Sequence, residues 1–194
     1  MIAIPDWLVS TLAADGAGGT GALPPWIHAL SPAATVVGPA LVVQVALNDN
    51  RAMRDVPAAV TEPGTVLVVA CGTESRTAIL GEIIARELLA AGIVAVVTDG
   101  LIRDSRDVAA AGLPVWARGV TPVASAKAGP DRVGGSITID GCVISDGDIV
   151  IADADGVVIW PAADVATLVA AADAKRRSDD ERLARLTGVD GGVH

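Results

Sequence analysis

The chain has 194 residues, 52% of them apolar and only 2% aromatic, with a net charge of −9. That length can bury the core of one domain, and the acidic balance excludes a phosphate-tracking nucleic-acid surface or binding to anionic membranes. With no Phe or Tyr, and Trp7, Trp26, Trp116 and Trp160 as the only large rings, the core must be built from Val, Ile, Leu and Ala.

The opening MIAIPDWLVSTLAADG has an early acid and no basic region, so it predicts no secretory leader. No apolar stretch reaches membrane-spanning length unbroken by Gly, Pro or charge, and a cytoplasmic protein is expected. Residues 3–14 predict a short amphipathic helix. ATVVGPALVVQVAL (34–47) predicts a strand pair or one long bent strand, with Gly38-Pro39 as the bend. The polar NDNRAMRDVPAAV predicts a loop and a helical turn. GTVLVVACG (64–72) is a continuous apolar run of strand length, hence a strand buried on both faces.

TESRTAI reads as a loop. Leu80, Ile83, Ile84, Leu88 and Ala91 then fall at helical spacing and predict a helix over 81–91, ending at Gly92. IVAVVTDG (93–100) is the next buried strand, SRDVAAAG a short helix and LPVWARG another strand. This alternation is a parallel, right-handed unit. Short strands separated by Gly-Asp turns follow in GGSITIDGCVISDGDIVIADADGVVIWP, which predicts antiparallel hairpins. A last helix spans 162–186, and GVDGGVH (188–194) predicts a frayed end. The sum is one α/β domain over 1–194, with a parallel layer, a β-meander layer and covering helices. Cys71 and Cys142 lie in apolar contexts without CxxC spacing and read as small buried hydrophobes in a reducing compartment. Two distant Cys and two His cannot assemble a zinc site.

Chemistry concentrates at two strand ends, where loops and helix starts converge in α/β sheets. CGTESRTAILGE leads into the 81–91 helix, whose first amides at Gly81, Glu82, Ile83 and Ile84 favour an anion. TDGLIRD offers Arg103, which can grip a carboxylate in two places, and Asp104, which can hold a divalent cation. The same residues also suit a turn, a surface ion pair and a helix cap. Arg106 and Asp107 read as a pair on the solvated face of a short helix.

The segment GEIIARELLAAGIVAVVTDGLIRD resembles the signature of the 4-hydroxy-4-methyl-2-oxoglutarate aldolases and regulator-of-ribonuclease-activity-A-like proteins. That signature is an acid, twenty residues, then Arg-Asp, as in Glu82, Arg103 and Asp104 here. VVGPALVV, LPVWARGVTP and GCVISDGDIVIADADGVVIWP resemble three further blocks of the family, so the likeness covers about residues 34–165.

The resemblance implies a swivelling β/β/α domain like those of phosphohistidine proteins. It implies a homotrimer or hexamer with active sites between subunits. It also implies a class II aldolase using Mg²⁺ or Mn²⁺. Such an enzyme cleaves 4-hydroxy-4-methyl-2-oxoglutarate or a related 4-hydroxy-2-oxoacid to pyruvate through an enolate, and decarboxylates oxaloacetate. Carried over by position, Asp104 would hold the metal and Arg103 the pyruvyl carboxylate or enolate oxygen. The Gly81–Ile84 amides would bind carboxylate, and Glu82 would orient metal-bound water. Glu82 departs from the aspartate of characterised aldolases. The base for the substrate hydroxyl would come from a neighbour's C-terminal helix, with Asp179, Asp180 and Glu181 as candidates.

No lysine is expected near the site, since Lys127 and Lys175 are the only two, which disfavours a Schiff-base aldolase. Neither His28 nor His194 is expected to act in catalysis. Any aromatic pocket wall must come from Trp, of which Trp116 is nearest in sequence, though it suits the core. The family's other branch offers the competing reading of a protein-binding regulator that inhibits an RNA-degrading endonuclease, and a third reading is a lyase of unassigned substrate. Asp104 discriminates, because a binding module needs no metal carboxylate beside the arginine.

Overall fold

A computed structural model describes residues 4–30, 35–130 and 132–187. In chain order come α1 (Ser10–Gly16), β1 (His28–Ala29), β2 (Val36–Gln44), a 3-10 turn (Arg51–Arg54), α2 (Val56–Ala59), β3 (Thr65–Ala70), α3 (Glu82–Ala90) and β4 (Ile93–Thr98). Then follow β5 (Leu101–Ile102), α4 (Ser105–Ala110), β6 (Val115–Ala117), β7 (Gly119–Val120), β8 (Arg132–Val133), β9 (Ser136–Ile139) and β10 (Cys142–Ser145). The chain closes with β11 (Ile149–Ala152), β12 (Val157–Trp160), a 3-10 turn (Ala162–Asp164) and α5 (Val165–Thr187).

The main sheet has the order β1-β6-β4-β3-β2-β11-β12, and β8 also pairs with β2. Its centre, β2-β3-β4-β6, is parallel; β1 on one side and β11-β12 on the other are antiparallel. Alternation along β3 shows why the sheet is buried on both faces. Leu67 and Val69 pack with Met53, Leu80, Leu88 and Val108 under the helices. Val66 and Val68 pack with Trp116, Ile137, Ile139 and Ile144 under the β9–β10 hairpin. Every residue of β3 is buried, so its continuous apolar run follows from cover on both sides. A third cluster, with Leu8, Ala13, Trp160 and Ala172, holds α1 and α5 against β11 and β12.

The mixed α/β architecture expected from the sequence is present, with differences of detail. Of the two readings offered for 34–47, the single long strand is the one present, as β2 (Val36–Gln44). Val36–Pro39 of β2 pair with β11 and Ala40–Gln44 with β3, so Gly38-Pro39 marks where the strand changes partner. The first helix starts at Ser10 rather than residue 3. Pro5 and Leu8 close a turn, and the buried Asp153 carboxylate accepts the Ser10 N–H at 2.7 Å and its hydroxyl at 2.6 Å, which fixes the helix start. LPVWARG divides into β6 and β7, the latter pairing in parallel with β5. The expected frayed end, 188–194, lies outside the described residues. Among the described residues no helix is long and apolar enough to cross a membrane.

Candidate active site

The site forms where β3 and β4 end. Just beyond β4, Asp99 turns its carboxylate back, accepting the Cys71 N–H at 2.8 Å and the Gly72 N–H at 3.0 Å. Arg118 donates to the Asp99 carbonyl at 3.1 Å and to the Ser75 carbonyl, which ties down the loop before α3. The two units then run together. The Ile79 N–H donates to Leu101 O at 2.9 Å, and the Arg103 N–H to Leu80 O at 3.0 Å. This pairing carries Gly81, the residue before α3, onto Arg103 and Asp104. A Cβ on Gly81 would strike the Asp104 carboxylate and lie 2.9 Å from Arg103 Cγ, so only glycine allows the approach.

Asp104 has left-handed backbone angles, φ 53° and ψ 37°, at the start of α4. Asp and Asn tolerate that region better than other residues with a Cβ. Its Oδ2 accepts the Glu82 N–H at 3.3 Å and lies 3.4 Å from Arg103 Nε. Among the described residues Oδ1 accepts no hydrogen bond. Alongside is a pocket of about 130 Å³, walled by Asn50, Leu80, Gly81, Ile83, Ile84, Arg103, Ser125 and Lys127 among others. A second cleft, of about 400 Å³, is lined by Arg103, Asp104 and Thr121, so Arg103 belongs to both.

The profile of the RraA-like Aldolase/RraA family matches residues 11–159. The chain belongs to that family. It is 34% identical over 173 residues, 89% of this chain and 82% of the relative, to a Halalkalibacterium halodurans protein provisionally named 4-hydroxy-4-methyl-2-oxoglutarate aldolase. Among solved structures it resembles Streptomyces coelicolor RraAS2, described as an unusual member of the RNase ES inhibitor RraA family (TM-score 0.79, 27% identity, 93% of each chain). It also resembles the RNA-processing inhibitor RraA of a Thermus species (TM-score 0.71, 28% identity, 83% of this chain and 94% of that one).

In this RraA-like chain Gly81, Ile83, Ile84 and Arg103 all reach the pocket wall, and Asp104 lies in the adjoining cleft. Glu82 does not share that wall through its side chain. Its Oε1 accepts from Arg86 Nε at 2.9 Å, one helical turn on, and only its amide touches Asp104. The candidate bases on α5 are not in either cavity. Asp179 is paired with Lys175 and Asp180 with Arg176, on a helix packed against α1. Glu181 makes no ion pair among the described residues. His28 sits in β1 with Nδ1 3.2 Å from Trp26 O, away from the pocket, and His194 is outside the described residues. Trp116 is fully buried in the core and donates to Asp153 O at 2.7 Å. Burial, then the neighbouring Asp99 carboxylate, pushes the Cys71 thiol far up, so it is no nucleophile at neutral pH.

One expectation is corrected outright. A lysine does stand at the site, because Lys127 lines the pocket with Arg103. It arrives on a loop 24 positions beyond Arg103, held by backbone pairing of Ala126 to residues 48–50, and no local spacing announces that return. Asn50 was missed for the same reason; it is buried, and its amide donates to Ile79 O at 2.9 Å.

Among the described residues no group of three or more His, Cys, Asp or Glu is placed to share a metal ion. Asp104 alone, with one open carboxylate oxygen, fits an ion of the Mg²⁺ or Mn²⁺ type. Mg²⁺ keeps several waters and needs only one or two carboxylates beside its substrate, whereas a structural zinc site needs four protein ligands.

Proposed function

We propose that the protein is a divalent-metal-dependent carbon–carbon lyase. It would cleave 4-hydroxy-4-methyl-2-oxoglutarate or a related 4-hydroxy-2-oxoacid to pyruvate and a second oxoacid, and decarboxylate oxaloacetate. The observation that carries this reading is the approach of Arg103, Asp104 and the start of α3 around Gly81 beside one small pocket. The family's aldolase-named relatives support it.

In this reading the Arg103 guanidinium binds the pyruvyl carboxylate by paired hydrogen bonds. The amides at the start of α3 add positive potential, and Lys127 adds a second mobile cation. Asp104 would hold Mg²⁺ or Mn²⁺ through Oδ1. When bound, the ion supplies Lewis-acid stabilisation of the charge that develops on the 2-oxo oxygen as pyruvate enolate forms. Ile83, 72% exposed at the pocket, and Val120, 57% exposed beside the neighbouring cleft, suit burial against a second copy in a trimer or hexamer. Of the α5 carboxylates, Glu181 is the candidate base from such a copy, since Asp179 and Asp180 are already paired.

The names of the two RraA structures favour the second reading, a non-catalytic regulator binding an RNA-degrading endonuclease. Asp104 argues against it, because protein binding alone gives no reason for a left-handed carboxylate with one open oxygen beside an arginine. The deciding assay follows pyruvate release from oxaloacetate and from 4-hydroxy-4-methyl-2-oxoglutarate, with Mg²⁺ or Mn²⁺ and with EDTA, for the native chain and Arg103→Ala. Metal-dependent release abolished by the substitution supports the lyase. Release no faster than with metal alone, from folded protein, overturns it for these substrates.

A further inference from the structure

We propose that Asp49 is a positioning residue that sets Lys127 over the pocket. This rests on the reading of the pocket as an oxoacid site. Asp49 is a buried carboxylate, 5% exposed, outside the pocket wall. Its Oδ2 accepts two consecutive backbone N–H groups, from Ala128 at 2.8 Å and Gly129 at 2.9 Å. Its Oδ1 accepts the Arg51 N–H at 2.8 Å. On the other side of Lys127, the Ala126 N–H donates to Asn48 O at 2.9 Å and Ala126 O accepts the Asn50 N–H at 3.0 Å. Lys127 is therefore the single residue between two anchors, both supplied by residues 48–50.

A buried carboxylate is costly unless its oxygens are satisfied. Here the satisfying donors are the loop's own amides, so the loop cannot leave without exposing the charge to an unpaired state. Gly129 completes the clamp. A Cβ there would lie 2.7 Å from Ala46 Cβ and 3.1 Å from Asp49 Cγ, so the loop backbone sits directly on the carboxylate. The adjacent Asn50 forms part of the pocket wall. One turn thus holds two walls of the pocket in register, and the backbone of the exposed Lys127 takes its position from a carboxylate outside the pocket wall.

The experiment compares native protein, Asp49→Asn, Gly129→Ala, Lys127→Met and Asp49→Asn/Lys127→Met, each as the full chain. Hydrogen exchange at Ala128 and Gly129 and tryptic cleavage after Lys127 report the clamp without any substrate. Both are expected to rise at least tenfold in Asp49→Asn and in Gly129→Ala. Pyruvate release is expected to fall roughly ten- to a hundredfold, the cost of a misplaced binding group, with most of the loss in KM. In the Lys127→Met background, Asp49→Asn is expected to add less than twofold. Unchanged exchange and cleavage in both clamp variants overturn the proposal, as does full multiplication of the two losses in the double variant. Should Asp49→Asn not fold, Gly129→Ala carries the same test. Absence of turnover in the native chain would instead defeat the lyase reading, and the exchange and cleavage results would still decide the clamp.

Discussion

The Asp104 carboxylate accepts the backbone N–H of Glu82 at 3.3 Å, joining the start of α3 to the start of α4 across two strand–helix units. One oxygen thereby serves structure, and the other accepts no hydrogen bond among the described residues. Removing the charge should separate the two roles. Asp104→Asn keeps an oxygen for the amide and a side chain suited to the left-handed turn, so its melting temperature should stay close to native. Its metal-dependent turnover should fall by about a hundredfold or more, as when a single electrostatic stabiliser is lost. Asp104→Ala should also lose about 1 kcal/mol of stability, because alanine is strained at positive φ. Equal melting temperatures for the two variants would contradict the structural role.

Gly81→Ala tests the approach of the two units. The added methyl meets the Asp104 carboxylate and lies 2.9 Å from Arg103 Cγ, so one or both side chains must shift. Stability should drop by about 1–3 kcal/mol, as for overpacking elsewhere, and turnover by about a hundredfold. Denaturant unfolding and pyruvate release check both numbers. Native-like turnover would mean that this close contact is dispensable.

The Glu82 side chain should matter little, because it is paired with Arg86 on a half-exposed helix face. Glu82→Ala should cost about 0.3–0.5 kcal/mol of stability, the worth of such a pair, and change turnover less than threefold. A loss of a hundredfold would show that the carboxylate turns from Arg86 toward Asp104 during the reaction.

Lys127 at the pocket makes an imine mechanism testable rather than excluded. Imine-forming lysines commonly stand in desolvated pockets, whereas Lys127 is exposed. Borohydride added with pyruvate should leave activity intact and add no mass to the peptide bearing Lys127. A reduced pyruvyl adduct there would replace the metal mechanism with covalent catalysis.

Asp49 should shape acid stability. Burial raises its pKa, but N–H donors from Ala128, Arg51 and Gly129 more than offset this, and the carboxyl titrates below the usual range. A folded pKa below the unfolded value gives stability that is fully present above about pH 4 and lost as pH falls through the folded value. Melting temperatures of native protein and Asp49→Asn should therefore differ most above about pH 5 and converge as pH falls below about 4. A constant gap across that window would show that protonation of Asp49 is not part of acid unfolding.

The apolar run of GTVLVVACG and the helical spacing of Leu80, Ile83, Ile84, Leu88 and Ala91 indicated β3 and α3 without any tertiary information, although the fold buries Leu88 of that helix set and leaves Ile83 exposed. The ordered signature blocks likewise indicated the family, and their acid-x20-Arg-Asp spacing singled out Glu82, Arg103 and Asp104 as candidates. Three things needed the folded molecule. The Glu82–Arg86 pair follows from i,i+4 spacing, but that the amide of Glu82, and not its carboxylate, meets Asp104 was decided by the fold. The start of α1 depended on Asp153, which lies 143 positions beyond Ser10. Lys127 reached the pocket only through a loop clamped on Asp49, 78 positions before it. Local pattern records what each segment must bury; which distant polar groups satisfy one another is settled only when the chain closes on itself.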